Sequence, residues 1–176
     1  MRPPPPGELP LLLKIRGDIY RAIRRFPGIH FRELQRKVGG GTGGLEYHLR
    51  YLMKHRLIMV ERSGRRTRFF PLELDDHERA ILALLRQKNV RRIIIKVLQD
   101  KEANHGALVR FLQISPSTVT WHLRKLLDAG ILSVKEAGRE KRYTVNDPER
   151  VTRVILAYRE SFLDALVDRF VDAWEL

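Results

Sequence analysis

The chain has 176 residues, no cysteine and a formal charge of +13, a length that allows one ordinary core or two small ones. The lack of cysteine excludes a disulfide frame, a thiolate zinc site and a cysteine nucleophile, and no apolar run approaches the roughly 20 residues a bilayer span requires. The charge is uneven: residues 1–74 carry 16 Lys+Arg against 6 Asp+Glu, residues 75–146 carry 14 against 8, and residues 147–176 carry 4 against 7. The first two stretches therefore point to a polyanionic partner, with a basic surface kept only for solubility as the alternative.

Met1 to Pro10 has no apolar signal core and reads as a proline-rich extended arm, so a cytoplasmic, nucleoid-associated protein is the default expectation. Leu11 to Phe26 is predicted as a helix with Leu12, Ile15, Ile19 and Ile23 on one face, ended by Pro27-Gly28. Phe31 to Val38 makes a second helix with Phe31, Leu34 and Val38 pointing inward. The glycine-rich stretch Gly39 to Gly44 is a turn; with no Gly-Lys-Ser/Thr after it and no strand before it, it does not read as a phosphate loop.

A third helix runs from about Thr42 to His55. Leu45, Leu49 and Leu52 form its packing stripe, which leaves Glu46, Tyr47, Arg50, Tyr51 and Lys54 as candidates for a nucleic-acid groove. A hairpin follows, with strands at Leu57 to Val60 and Arg68 to Pro71 and a tip at Ser63-Gly64. Arg62, Arg65, Arg66 and Arg68 crowd this hairpin, and their mutual repulsion is relieved if a phosphate backbone lies alongside; a solvated wing is the alternative. Asp75 to Gln87 opens with DDHE and continues as an apolar helix, in which the acids suit the N-terminus better than a metal site.

The chain then repeats itself with an offset of 74 and no gap: Leu45 to Leu52 (LEYHLRYL) returns as Val119 to Leu126 (VTWHLRKL), and Gly64, Arg68 and Phe69 return as Gly138, Arg142 and Tyr143. Ser115-Pro116 is a good start for the second copy of the third helix. Ser117, Thr118, Thr120, Trp121, Arg124 and Lys125 are its groove candidates. In the second hairpin Glu136 and Glu140 stand among Lys135, Arg139, Lys141 and Arg142, so its field is weaker and the first copy is expected to hold DNA harder. His48 and His122 each precede a core leucine, which puts them at the boundary of core and surface, donating to a phosphate or a backbone carbonyl. No histidine pair has metal-ligand spacing.

From Asp147-Pro148-Glu149 a last helix is expected to run almost to the end. Val151, Ile155, Tyr158, Phe162, Leu166 and Phe170 form its stripe, widened by Val154, Leu163, Val167 and Trp174. About 25 helical residues would extend roughly 37 Å, more than one small domain covers. The stripe then packs across both repeats or, the favoured reading, pairs with a second subunit in a homodimer. The expected organisation is an arm (1–10), a first domain (11–74), a linker helix (75–88), a second domain (89–146) and the terminal helix (147–176).

The segment PGIHFRELQRKVGGGTGGLEYHLRYLMKHRLIMVERSGRRTRFFP resembles the N-terminal domain of archaeal transcriptional regulators with two winged helix-turn-helix domains. ISPSTVTWHLRKLLDAGILSVKEAGREKRYTV resembles the broad ArsR/MarR-like winged-helix group. The resemblance implies a mainly α fold with small β wings: three helices and a two-stranded wing, present twice, with the helix after the turn in the major groove and the wing near the backbone. By position it implies DNA contacts at Thr42, Glu46, Tyr47 and Arg50, and at Ser117, Thr118, Thr120, Trp121 and Arg124. The cysteines or clustered histidines of metal-sensing relatives are lacking, so neither a metal nor a cofactor is expected.

The combined expectation is a sequence-preferring regulator of double-stranded DNA. Arg50, Lys54, Arg124, Lys125 and the wings would meet phosphates, and Glu46, Tyr47, Thr120 and Trp121 would meet base edges. A nonspecific architectural protein and a protein-interaction module are the alternatives. An enzyme is the least supported reading, for lack of a nucleophile-base pair, metal motif or phosphate loop.

Overall fold

A computed structural model describes residues 9–63, 66–138, 140–162 and 165–174. The chain forms two compact units, Met1–Arg79 and Ala80–Leu176. The expected arm at Met1 to Pro10 lies largely outside the described residues, as do the hairpin-tip residues Gly64 and Arg65, Arg139 of the second hairpin, and Leu163.

In the first unit α1 (Leu9–Arg25) is followed by the short strand β1 (Ile29–His30), α2 (Phe31–Val38), α3 (Thr42–Lys54), β2 (Ile58–Ser63) and β3 (Arg66–Pro71). Pro27-Gly28 ends α1 as expected. Gly28 takes a φ of 76° and donates its backbone N–H to the Phe69 carbonyl at 2.8 Å, which delivers the chain to the sheet edge. The sheet has the order β1-β3-β2. The two-stranded wing β2–β3 is as expected, and β1 joins it at the β3 edge as a third strand of the sheet. β1 was missed because a two-residue strand has no periodicity to read; its pairings, Ile29 with Phe69 and His30 with Arg68, are all long-range. Ile19, Ile23, Ile29, Leu34, Leu45, Leu49, Leu52, Ile58 and Phe69 form one buried cluster. α1 packs on α2, α3 and β3, so the recognition-helix stripe is held from behind by the first helix.

The second unit repeats this frame with α5 (Lys88–Asp100), β4 (Ala103–Asn104), α6 (His105–Leu112), α7 (Pro116–Asp128), β5 (Leu132–Ala137) and β6 (Glu140–Val145). Its sheet order is β4-β6-β5. The offset of 74 extends to the strand register: Ile58 with Pro71 becomes Leu132 with Val145, and Ile29 with Phe69 becomes Ala103 with Tyr143. Every residue of the first core has a buried counterpart, in the same order Ile93, Val97, Ala103, Leu108, Val119, Leu123, Leu126, Leu132 and Tyr143.

α4 (Asp76–Leu85) opens on a reciprocal capping box: the Asp75 carboxylate accepts from the Glu78 N–H at 2.8 Å, and the Glu78 carboxylate from the Asp75 N–H at 3.2 Å. The acids of DDHE thus cap the helix. Arg79, buried at the same helix start, donates to the Glu61 carboxylate at 2.7 Å, to the Leu74 carbonyl at 2.5 Å and to the Asp76 carboxylate. It ties the strand β2 to the start of α4.

The single long terminal helix is not observed. α8 (Pro148–Ala157) ends at Tyr158, a 3-10 turn comes next at Arg159–Ser161, and α9 (Ala165–Trp174) is separate and packs on α5 and α8. The expected free stripe is covered within its own unit: Val151, Ile155, Phe162 and Phe170 are buried, and Tyr158 and Leu166 half-buried. Breaking the helix is what permits this, because α9 can fold back on α5 whereas a straight rod of about 37 Å could not. α8 also begins as α4 does, behind a returning wing strand, with the Asp147 carboxylate accepting from the Arg150 N–H at 3.0 Å. The linker helix and the start of the terminal segment therefore occupy the same place in the repeat.

Candidate nucleic-acid interface

The two recognition helices start at equivalent places by different means. Gln113, the C-cap of α6, and Gly39, the C-cap of α2, both take positive φ, 56° and 73°. Gln113 is in the left-handed helical conformation, ψ 42°, which a non-glycine residue adopts at a cost, whereas Gly39 pairs its positive φ with a ψ of −177°, a conformation essentially confined to glycine. In α7 the Ser115 hydroxyl caps the Thr118 N–H at 3.3 Å and lies 2.7 Å from the Thr118 hydroxyl, with Pro116 in the first turn. Gly41 stands at the N-cap of α3 and supplies no side-chain cap. Instead the Gln35 amide braces the glycine turn, donating to the Gly40 carbonyl and the Thr42 hydroxyl, each at 3.3 Å.

On α3, Thr42, Glu46, Tyr47, Arg50 and Lys54 are exposed and Tyr51 is half-buried. Arg50 pairs with Glu46 one turn back at 3.4 Å. On α7, Ser117, Thr120, Trp121 and Arg124 are exposed, and Thr118 and Lys125 half-buried. Tyr47 and Trp121, equivalent residues, are large rings exposed to 39% and 55% on the outer faces of their helices. The Thr120 hydroxyl is held by the Pro116 carbonyl and by His105 Nε2, both at 3.0 Å.

The structure places His48 and His122 deeper than the core-surface boundary expected of them. Both are buried, 5% and 7% exposed. Among the described residues the Nδ1 of each has no hydrogen-bond partner. Each ring is instead covered edge-on by the aromatic before it, Tyr47 at 5.2 Å and Trp121 at 5.0 Å between centroids. Burial first, and then the positive charge of Arg16 or Lys125, holds both imidazoles below the usual value of 6.5 and so favours the neutral ring. The histidines widen the leucine stripe and belong to the core.

In the first wing Arg62 is exposed, and Arg68 is half-buried opposite Glu61 and His30. His30 Nδ1 lies 3.0 Å from the Thr67 carbonyl. Arg66 lies on β3, but its side chain, like all of Arg65, is outside the described residues. In the second wing the ions are more internally matched: Arg142 pairs with Glu102, Glu140 accepts from the Asn104 amide at 2.8 Å, and Lys141 stands opposite Glu136 in the sheet. A cleft of about 420 Å³ between α3 and the first wing is lined by Glu46, Arg50 and Arg62 over Phe31, Met53 and Phe69. An equivalent cleft of about 620 Å³ in the second domain is lined by His105, Thr120, Glu140 and Lys141.

Sequence reasoning passed over Arg16. Its guanidinium lies 3.6 Å from the centroid of Tyr51 and 5.8 Å from that of Tyr47. The signal available was one more basic residue on a first helix that also carries Lys14, Arg21, Arg24 and Arg25, which reads as a solvated face. Among the described residues no group of three or more His, Cys, Asp or Glu could hold a metal ion, and no helix is long and apolar enough to cross a membrane.

Comparison with known families places two helix-turn-helix domains on this geometry. Residues 14–82 match the family described as "N-terminal HTH domain", and residues 80–134 match "Bacterial regulatory protein, arsR family". An uncharacterized HTH-type transcriptional regulator of Methanocaldococcus jannaschii is 31% identical over 140 residues, a match that takes in 80% of this chain and 35% of the relative. The chain thus spans about a third of the length of that relative. Among solved structures, reduced HlyU from Vibrio cholerae aligns at 23% identity over 48% of this chain and 87% of its own, with a TM-score of 0.42. An ArsR family transcriptional regulator aligns at 17% identity over 58% and 95%, with a TM-score of 0.38.

Proposed function

We propose that this chain, a tandem winged helix-turn-helix protein of the archaeal regulator type, is a sequence-preferring transcriptional regulator that binds double-stranded DNA. The observation that carries the reading is the duplicated outer face: both recognition helices expose an aromatic ring and an arginine at equivalent positions, Tyr47 with Arg50 and Trp121 with Arg124. An exposed ring suits a thymine methyl or base edge, and the arginine three residues on suits a phosphate or guanine. Glu46 beside Tyr47 can accept from a cytosine amine.

Thr42, Arg50, Tyr51, Lys54 and Arg124, with wing residues Arg62, Arg65, Arg66, Arg68, Arg139, Lys141 and Arg142, supply the contacts that set position on the backbone. Ser117 and Thr118 stand where the first turn of α7 would approach it. The internal pairing of the second wing supports a division of labour, with the first domain gripping and the second adding selectivity. Work on the chromosome would place the protein with the nucleoid.

The test is selection of bound duplexes from a random pool near physiological salt, read by sequencing. Enrichment of a motif is expected, and a palindrome would point to a symmetric homodimer. Binding without enrichment would favour the architectural reading instead. Failure to bind any duplex would remove DNA from the function.

A further inference from the structure

Both exposed rings of the recognition helices have a cation within cation–π range, and the two domains supply that cation from different elements. In the first domain it comes from α1: the Arg16 guanidinium carbon lies over Tyr51, 3.6 Å from its centroid, and within 5.8 Å of the centroid of Tyr47. The Nε of Arg16 is buried and, among the described residues, has no hydrogen-bond partner, so stacking on the rings is the interaction that holds the guanidinium. In the second domain the position equivalent to Arg16 is Val90, and the position equivalent to Tyr51 is Lys125. The cation has moved from the first helix onto the recognition helix, where the second ring stood. The Lys125 ammonium lies 3.4 Å from the centroid of Trp121 and donates to the Gln87 amide oxygen at 2.8 Å. Each exposed ring is thus fixed from two sides, by a buried histidine at its edge and by a cation at or beside its face.

A ring on the outside of a helix ordinarily samples several rotamers, and freezing it on a duplex is a cost charged to binding. A ring already fixed avoids that cost, and avoids it only where the ring has something specific to meet. We propose that Arg16 and Lys125 are positioning residues that hold Tyr47 and Trp121 in the orientation in which those rings meet base edges, an inference that rests on the DNA-reading function proposed above. Lys125 then serves Trp121 and Gln87, and phosphate contact on α7 is left to Arg124.

The test compares the full chain with its Arg16→Met, Lys125→Met and Arg16→Lys variants, each checked for an unchanged circular dichroism spectrum. Affinity is measured over a salt series for the selected motif and for a random duplex of equal length. Arg16→Met and Lys125→Met should each lower the ratio of motif to random affinity by roughly two- to tenfold, the range for releasing one immobilised side chain. The salt slope should stay nearly constant, and Arg16→Lys, which keeps the charge but not the planar stacking group, should retain only part of the ratio. Equal losses on both duplexes with a slope lower by about 0.9 would mean direct phosphate contacts and would overturn the proposal; so would an unchanged ratio.

If the parent chain selects no motif, the function proposed above is what fails, and positioning is then read in the free protein. Arg16→Met should shift the ring-proton resonances of Tyr47 and Tyr51, and Lys125→Met in a Trp174→Phe background should lower the emission anisotropy of Trp121. Unchanged signals would end the positioning role without reference to DNA.

Discussion

If Arg50 and Lys54 meet phosphates, replacing both by alanine has a consequence that can be worked out in advance. Both side chains are exposed, and Arg50 is 77% accessible at its side chain even while paired with Glu46 at 3.4 Å. An exposed pair of this kind contributes at most about 1 kcal/mol, too little to keep the guanidinium from exchanging a carboxylate for a phosphate. Each phosphate neutralised adds about 0.9 to the slope of log affinity against log salt, so the double variant should lose about 1.8 from that slope. Between about 50 and 200 mM salt the parent affinity should therefore fall roughly twelvefold more than that of the variant. Alanine is the best helix former, so α3 should lose only about 0.5 kcal/mol of pair stabilisation. Fluorescence anisotropy titrations on a random duplex over the salt series measure the slope directly. A double variant with the parent slope would refute the assignment of these two cations to the backbone.

The turn before each recognition helix predicts opposite outcomes for reciprocal changes. Gln113→Gly should stabilise the second domain by about 1 kcal/mol in denaturant unfolding, and Gly39→Gln, at a φ of 73° and ψ of −177°, should destabilise the first by more, about 1–3 kcal/mol. A Cβ at Gly39 would meet nothing within 4 Å, so backbone conformation alone sets the cost. Arg79→Ala leaves the Glu61 carboxylate and the Leu74 carbonyl without their guanidinium partner and should cost about 3 kcal/mol; a loss under about 1 kcal/mol would mean that water replaces it freely. Both buried histidines have folded values below 6.5. The unfolded chain therefore takes up protons that the folded chain refuses, and stability, unaffected above pH 6.5, should fall as pH drops below it. A His48→Phe, His122→Phe double variant should flatten that fall in thermal unfolding between about pH 7 and 5.

The recognition helices, wings and core were legible because their signals are local or repeated. α2 is bounded as the spacing of Phe31, Leu34 and Val38 predicts, and the 74-residue offset carries through to the pairing of every strand. What escaped the sequence depended on contacts made at a distance. β1 is defined by pairing 38 to 40 residues away. His48 looked amphipathic because a histidine beside a leucine does not say which of them the first helix will cover. Arg16 acquired a role only when α1 was laid across α3, since no helical spacing within either element brings a guanidinium to Tyr51.

The terminal segment was misread for a related reason, and the misreading is instructive about duplicated chains. The hydrophobic stripe from Val151 to Phe170 satisfies helical spacing throughout, and spacing cannot distinguish one rod from two helices that fold against each other. The sign of the break lay in the repeat. A wing strand leading into an Asp-capped helix occurs at Asp75 and again at Asp147, and the first of these helices, α4, has ten residues. Extending the duplication past the wing predicts a second helix of that length, and α8 has ten residues as well. The last helix, α9, then has to find a surface of its own, and it finds α5, burying Val167, Phe170 and Val171. With most of the described stripe packed inside its own unit, two half-sites can still bring two protomers together on DNA without a preformed interface.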